Sequence, residues 1–235
     1  MRNKIKYLLF FVFAVALFAG CKKDPATVAN SSSRVKTEST TSATGIAYVV
    51  TYSYDSSGRQ VQSQTDTVVT TYLYGPDTIT KTIALAGHYF ITGYSTDASG
   101  HIISDSKFFK YSYDANGYLA SLSYTGNGNY DSTLYTISGG NVTTTVEHQA
   151  DSATNNTITT TYTYLAHTDN RDYGMAAMGK ANTNLIGSQS ISQSINGSMA
   201  TLAYTFTYTY DAQGRVTQMV KSSGSVSYTT TYTYY

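Results

Sequence analysis

The densest group of titratable side chains is His167, Asp169, Arg171 and Asp172, inside the stretch Leu165–Leu185 (LAHTDNRDYGMAAMGKANTNL). A histidine close to carboxylates is what base-assisted or nucleophile-activating chemistry requires, and loops on rigid scaffolds often carry function. The plainer reading is a solvated loop whose charges cap a turn and pair locally. The rest of the inventory favours it. His88, His101 and His148 are scattered, the only glutamates are Glu38 and Glu147, and no zinc-protease, serine-hydrolase or two-carboxylate motif occurs. No catalytic residue is therefore expected, and a hydrolase using residues 167–172 stands as the second reading. Four D-x-x-G segments supply one carboxylate each, whereas calcium asks for about six or more oxygens, so neither metal nor cofactor is expected.

The other chemically useful residues are the 24 tyrosines, which stand beside 8 phenylalanines and no tryptophan. Aromatic rings flanked by hydroxyls and Asn suit flat polar ligands such as sugars, and tyrosine is equally favoured at protein interfaces. Most of these rings must nonetheless serve packing in a chain so poor in aliphatics.

The elements that position them follow from a period of two. Tyr204, Phe206, Tyr208 and Tyr210 alternate with Thr205, Thr207 and Thr209; Tyr228, Tyr232 and Tyr234 alternate with Thr229, Thr231 and Thr233. Val50, Tyr52 and Tyr54, and Phe109, Tyr111 and Tyr113, repeat the pattern. Successive side chains of a strand point to opposite faces, so each strand carries an aromatic face, expected inside, and a hydroxyl face, expected outside.

The turns recur as well. Asp55–Gly58, Asp97–Gly100, Asp114–Gly117 and Asp211–Gly214 share the form D-x-x-G, with Tyr-x-Tyr directly before three of them. Asp suits the first position of a type I turn, and Gly at the fourth takes the positive φ of a bulge. The aspartates are 42, 17 and 97 residues apart, so there is no strict repeat. Strands between the turns number roughly a dozen at the usual spacing. The fold class expected is all-β: an antiparallel, strongly curved sheet or barrel joined by hairpins. Leu165–Leu185 is the one long non-strand segment, with room for a helical turn at Met175–Met178.

The N-terminus reads as an address. Arg2, Lys4 and Lys6 precede the apolar run Tyr7–Gly20, which is too short for the ~20 residues that span a bilayer. It ends in Phe18-Ala19-Gly20-Cys21, and Cys21 is the only cysteine. This resembles the lipobox of bacterial lipoproteins, although Leu is usual where Phe18 stands. The resemblance implies removal of residues 1–20 and acylation of Cys21, which leaves no free thiol, disulfide or cysteine catalysis. Lys22-Lys23-Asp24 resembles the charged stretch behind the lipid in Bacteroidetes-type surface lipoproteins. From Asp24 to about Thr44 the chain lacks periodicity and is rich in Ser, Thr and Ala, so residues 21–44 read as lipidated cysteine plus flexible tether. Residues 45–235 form the β domain.

Charged residues make up 12% of the chain and its formal charge is +1, which excludes an electrostatic footprint for nucleic acid. High aromatic content with low charge also excludes a mainly disordered chain. Tyr-x-Tyr-Asp-x-x-Gly-Arg at 52–59 and 208–215 resembles the YD repeat of bacterial RHS and animal teneurin shells. YSYDANGYL (111–119), YTISGGNV (135–142), YTYLAHTDNRDYG (162–174) and YTYDAQGRV (208–216) are together similar to a family of Bacteroidetes lipoproteins of unknown function with a porin-like fold. That family implies a curved sheet or barrel behind a lipid anchor and brings no reaction with it. Neither face of these strands suits hydrocarbon, since tyrosine runs their length opposite threonine instead of forming girdles. The expectation is a non-enzymatic, lipid-anchored protein of the bacterial envelope, on the outer membrane and facing the periplasm or the surface. It would bind a glycan or an envelope protein and touch the membrane through Cys21. A porin-like conduit is a further alternative.

Overall fold

A computed structural model describes residues 33–45, 47–126, 129–150, 155–195 and 197–235. Cys21, the leader and residues 22–32 of the expected tether lie outside them. The chain forms sixteen strands: β1 Val35–Ser42, β2 Ala47–Tyr54, β3 Gln60–Gln64, β4 Val68–Tyr74, β5 Thr78–Leu85, β6 His88–Thr96, β7 Ile102–Asp105, β8 Phe109–Tyr113, β9 Leu119–Gly126, β10 Asn129–Ser138, β11 Asn141–Ala150, β12 Asn155–Thr168, β13 Asn184–Ile195, β14 Ser198–Tyr210, β15 Val216–Ser223 and β16 Val226–Tyr234. Each pairs antiparallel with its neighbours in sequence, and β1 pairs with β16, so the sheet closes into an up-and-down barrel. Closure leaves no sheet edge along the full ring.

Two expectations are corrected here. The strands number sixteen, not a dozen, because several that lack aromatics, such as β3 and β7, escape a search for Tyr/Thr alternation. The tether does not extend to Thr44, because Val35–Ser42 is a strand of the barrel. That strand is wholly polar after Val35, and its strand character comes from pairing on both sides rather than from its own pattern.

Alternation sorts the side chains as the period of two requires. Tyr48, Val50 and Tyr52 of β2, and Tyr204, Phe206 and Tyr208 of β14, are each less exposed than their neighbours and face the lumen, with Tyr54 and Tyr210 on the same parity. Outside, hydroxyls pair from strand to strand: Thr37 with Thr233 at 2.6 Å, Ser112 with Ser121 at 2.7 Å and Thr163 with Ser188 at 2.8 Å. Val49, Leu73, Ile91, Leu134 and Met199 stand exposed among them.

Connections from odd to even strands all lie at one end of the barrel and those from even to odd at the other. The second end collects all four D-x-x-G turns, the long segment between β12 and β13, and both chain ends of the described barrel. The buried apolar core of Val35, Tyr52, Leu185, Val216 and Tyr232 sits there too.

Candidate functional site

The D-x-x-G turns share one construction. In each, Gly donates its N–H to the Asp carbonyl, and Asp donates to the carbonyl of the residue after Gly, at 2.8–3.0 Å. One carboxylate oxygen accepts two further backbone N–H groups, from Ser57 and Arg59 on Asp55, Ser99 and His101 on Asp97, Asn116 and Tyr118 on Asp114, and Gln213 and Arg215 on Asp211. Gly58, Gly100, Gly117 and Gly214 all have positive φ. Desolvation opposes the charge on Asp55 and Asp211, but the backbone and arginine hydrogen bonds outweigh it and hold both below the usual carboxylate range. A fifth turn of this kind, Asp105-Ser-Lys-Phe108, lies at the opposite end with Phe108 at φ +71°. It was hidden in the sequence because phenylalanine replaces glycine.

At six of the seven bulges that begin odd strands a tyrosine hydroxyl donates to a carbonyl of the bulge; the one at Leu119 has no such bond among the described residues. Tyr54 donates to Val35, Tyr74 to Gln60, Tyr113 to Ile102, Tyr164 to Val142, Tyr208 to Ile186 and Tyr234 to Val216, all at 2.6–2.9 Å. All six acceptors stand at register shifts. Much of the tyrosine repeat is therefore architectural: ring into the lumen, hydroxyl onto a bulge.

The segment between β12 and β13 is shorter than the expected Leu165–Leu185, because β12 runs to Thr168 and β13 starts at Asn184. It is no solvated loop either. Asp169 and Arg171 are buried, and their side chains are joined by hydrogen bonds of 2.9 and 2.7 Å. Arg171 also donates to the Tyr232 hydroxyl at 2.8 Å. Burial works against the guanidinium charge, but the neighbouring Asp169 carboxylate prevails and holds the Arg171 pKa well above its ordinary value. Asp172 takes an ion pair from Arg34 at 3.2 Å, and its carbonyl accepts from Val35. Tyr173 donates to Glu38, whose other oxygen accepts from Tyr52 at 2.7 Å. Glu38, which the sequence places in the tether, is thus a lumen residue beneath this loop.

The loop crosses the barrel from side to side. Gln60 on β3 donates to the Gly174 carbonyl at 3.1 Å, Lys180 donates to Gly117 at 2.8 Å, and Thr183 donates to Gly140 at 3.0 Å. Asn170 donates to Gly214 at 3.2 Å. A Cβ on Gly174 would lie 2.5 Å from the Gly58 carbonyl oxygen, and one on Gly179 would lie 2.8 Å from the Tyr113 ring, so backbone must pass closely at both points. A single 3-10 turn, Ala176–Met178, is its only helix. The loop is a plug.

His167 takes no part in it. Its ring stacks on Tyr210 with centroids 4.9 Å apart, and among the described residues no hydrogen bond or ion pair joins it to a carboxylate. The four polar loop residues therefore do not assemble into a general-base site. Among the described residues no group of three or more His, Cys, Asp or Glu is placed to hold a metal.

At the opposite end the lumen opens. Inward-facing side chains fall to 0% exposure at Val35, Leu185 and Val216 on the plugged end, yet reach 51% at Phe90, 45% at Leu202 and 41% at Tyr228 on the other. Part of this lumen is polar. Gln149 donates to Glu147, Asn156 donates to Gln149 at 2.9 Å, and Gln193 donates to Asn156 at 3.3 Å, making a chain across β11, β12 and β13. Burial raises the Glu147 carboxyl above its ordinary value; the Gln149 bond offsets this in part, and Asp131 adds to it. The Tyr162 hydroxyl, also raised by burial, bonds Thr145, Gln189 and Thr160. Lys81 and Lys221 face the same space, and burial lowers both. These residues were overlooked because each stands singly; the available signal was a polar side chain on the aromatic parity of its strand.

No family model matches this sequence, nor does any curated protein. Solved structures do share its architecture. A porin-like protein from Bacteroides vulgatus superposes with a TM-score of 0.63 at 12% identity, over 86% of this chain and 99% of that one. One from Bacteroides uniformis gives 0.57 at 15% identity, over 88% of this chain and 100% of its own. The likeness is one of fold. It spans the whole of each neighbour, so the closed barrel with its hairpins is a shared architecture, while the lumen side chains named above belong to this chain.

Proposed function

We propose that this chain is a non-enzymatic, lipid-anchored protein of the bacterial envelope whose barrel acts as a one-ended cup for glycans. The observation that carries the reading is the plug: residues 169–183 close one end with buried, paired charges while the lumen opens at the other. A cup concentrates a ligand, whereas a conduit needs two mouths. Lumen rings interspersed with carboxamides, hydroxyls and lysines match the amphipathic surface of a sugar. The outer wall supports an aqueous setting, since its strands display paired Thr and Ser hydroxyls instead of the apolar band of about 25 Å that a spanning barrel presents. The porin-like neighbours favour an envelope protein and keep the conduit reading in play.

The strand that follows an anchored Cys21, β1, begins at the plugged end. The test is a glycan array and thermal-shift screen on the purified full-length chain, with saturable binding to one glycan class expected. No binding by a folded, monodisperse sample refutes the cup. Cys21→Ser should move the protein from the membrane fraction to the soluble one, and undiminished membrane retention refutes the anchor. Ion conductance across a planar bilayer would establish the conduit instead.

A further inference from the structure

Resting on the cup reading, we propose that the lumen wall of β14–β16 is a subsite for an acidic saccharide. Lys221 takes the carboxylate or sulfate, and Tyr204, Phe206 and Tyr228 receive the sugar ring. Lys221 pairs in register with Phe206 on one side and Tyr228 on the other, which puts all three on the inner face. Its ammonium lies 3.9 Å from the Tyr204 ring centroid and 5.7 Å from that of Phe206. Among the described residues Lys221, like Lys81, has no ion pair or hydrogen bond, whereas Arg34 and Arg171 at the plugged end are matched by aspartates.

A half-buried ammonium without a counter-charge has lost part of its hydration and recovers only some of it from the ring faces beneath. An incoming anion would supply the rest, with little further desolvation on the protein side. The burial-lowered basicity of Lys221 agrees with this state.

Access is built into the rim. β14 pairs with β15 only from Thr205 onward, so the outer half of the β13–β14 hairpin rises above the β15–β16 hairpin, and Ser198–Ala203 are all exposed. Lys221 and Tyr228 lie at the foot of that step, with Tyr228 41% exposed toward the mouth. A bare anion would use the lysine alone; the adjoining ring faces call for a ligand with an extended, partly apolar face, which a pyranose supplies.

The test is calorimetric titration of the full-length chain in detergent micelles with uronate-, sialate- and sulfate-bearing oligosaccharides, each beside its neutral counterpart. At least one acidic form should bind about ten-fold tighter than its neutral partner or better. Lys221→Met should abolish that preference and Lys221→Arg should keep it. Lys81→Met, which removes the lumen lysine on β5, should leave the acidic-over-neutral preference in place whatever it does to overall affinity, because a general lumen field would respond to either lysine. Equal binding of acidic and neutral forms, or a preference that survives Lys221→Met, overturns the subsite and leaves the cup intact. So does competition by inorganic sulfate at the same concentration. Failure of every saccharide, acidic or neutral, to bind a folded chain overturns the cup and the subsite with it.

Discussion

Arg171→Met removes the guanidinium from the centre of the plug while keeping most of its volume. Three hydrogen bonds go with it, two to Asp169 at 2.9 and 2.7 Å and one to the Tyr232 hydroxyl at 2.8 Å. The side chains of Arg171 and Asp169 are 6% and 1% exposed, so the carboxylate left behind has almost no water to turn to. Breaking one side of a buried pair costs about 3–5 kcal/mol, well above the ~0–1 kcal/mol of a surface pair. With a urea dependence of ~2–3 kcal/mol per molar for a chain of this size, the unfolding midpoint should fall by about 1–2.5 M. Far-UV circular dichroism is the suitable signal because the chain has no tryptophan. The double variant Asp169→Asn/Arg171→Met should recover more than half of the loss, since it no longer buries a lone charge. Limited proteolysis should cut within residues 169–183 in the single variant before it cuts the strands. A single variant within about 1 kcal/mol of the parent, or a double variant no better than the single, would refute the claim that a buried ion pair holds the plug.

Tyr164→Phe should cost about 1–3 kcal/mol, because the Val142 carbonyl at its bulge loses a donor 2.6 Å away, whereas Tyr228→Phe at the mouth should cost far less; paired urea titrations compare them. Glu147→Gln should raise the melting temperature at neutral pH. The folded-state pKa of Glu147 lies above its unfolded value, so the native state holds more protons between the two and stability falls as pH rises through that window. The gain should therefore be present above the folded pKa and vanish below about pH 4, where both states are protonated, and a gain independent of pH would contradict the assignment.

What could be read from sequence was what repeats locally. A Tyr/Thr alternation specifies a half-buried strand wherever it occurs, and an Asp followed three residues later by Gly specifies its turn through bonds made within five residues. Where a different residue can adopt the same backbone, as Phe108 does, the signature disappears although the turn remains. What could not be read depends on partners distant in the chain. β1 is a strand because β16 and β2 flank it, and its own composition matches a tether. Asp169 and Arg171 look like solvated charges until β16 brings Tyr232 over them. The lumen chain from Glu147 to Gln193 needs three strands in register before its members touch. The six tyrosine-to-bulge bonds stand between these cases: the tyrosines are visible in the repeat, but their acceptors are not.

The seam between β1 and β16 also sets an order of events. Thr37 meets Thr233, and Thr40 meets Thr230, across 196 and 190 residues of chain. The first barrel strand to be synthesised must wait for the last, and the plug must wait for both, because Arg34 and Tyr232 hold it from either side of the seam. Such long-range closure is slow compared with hairpin formation. The barrel cannot close until Val226–Tyr234 are free to pair on both sides. A loss of even ten C-terminal residues would leave β1 and β15 as two unpaired edges and unseat the plug in the same stroke.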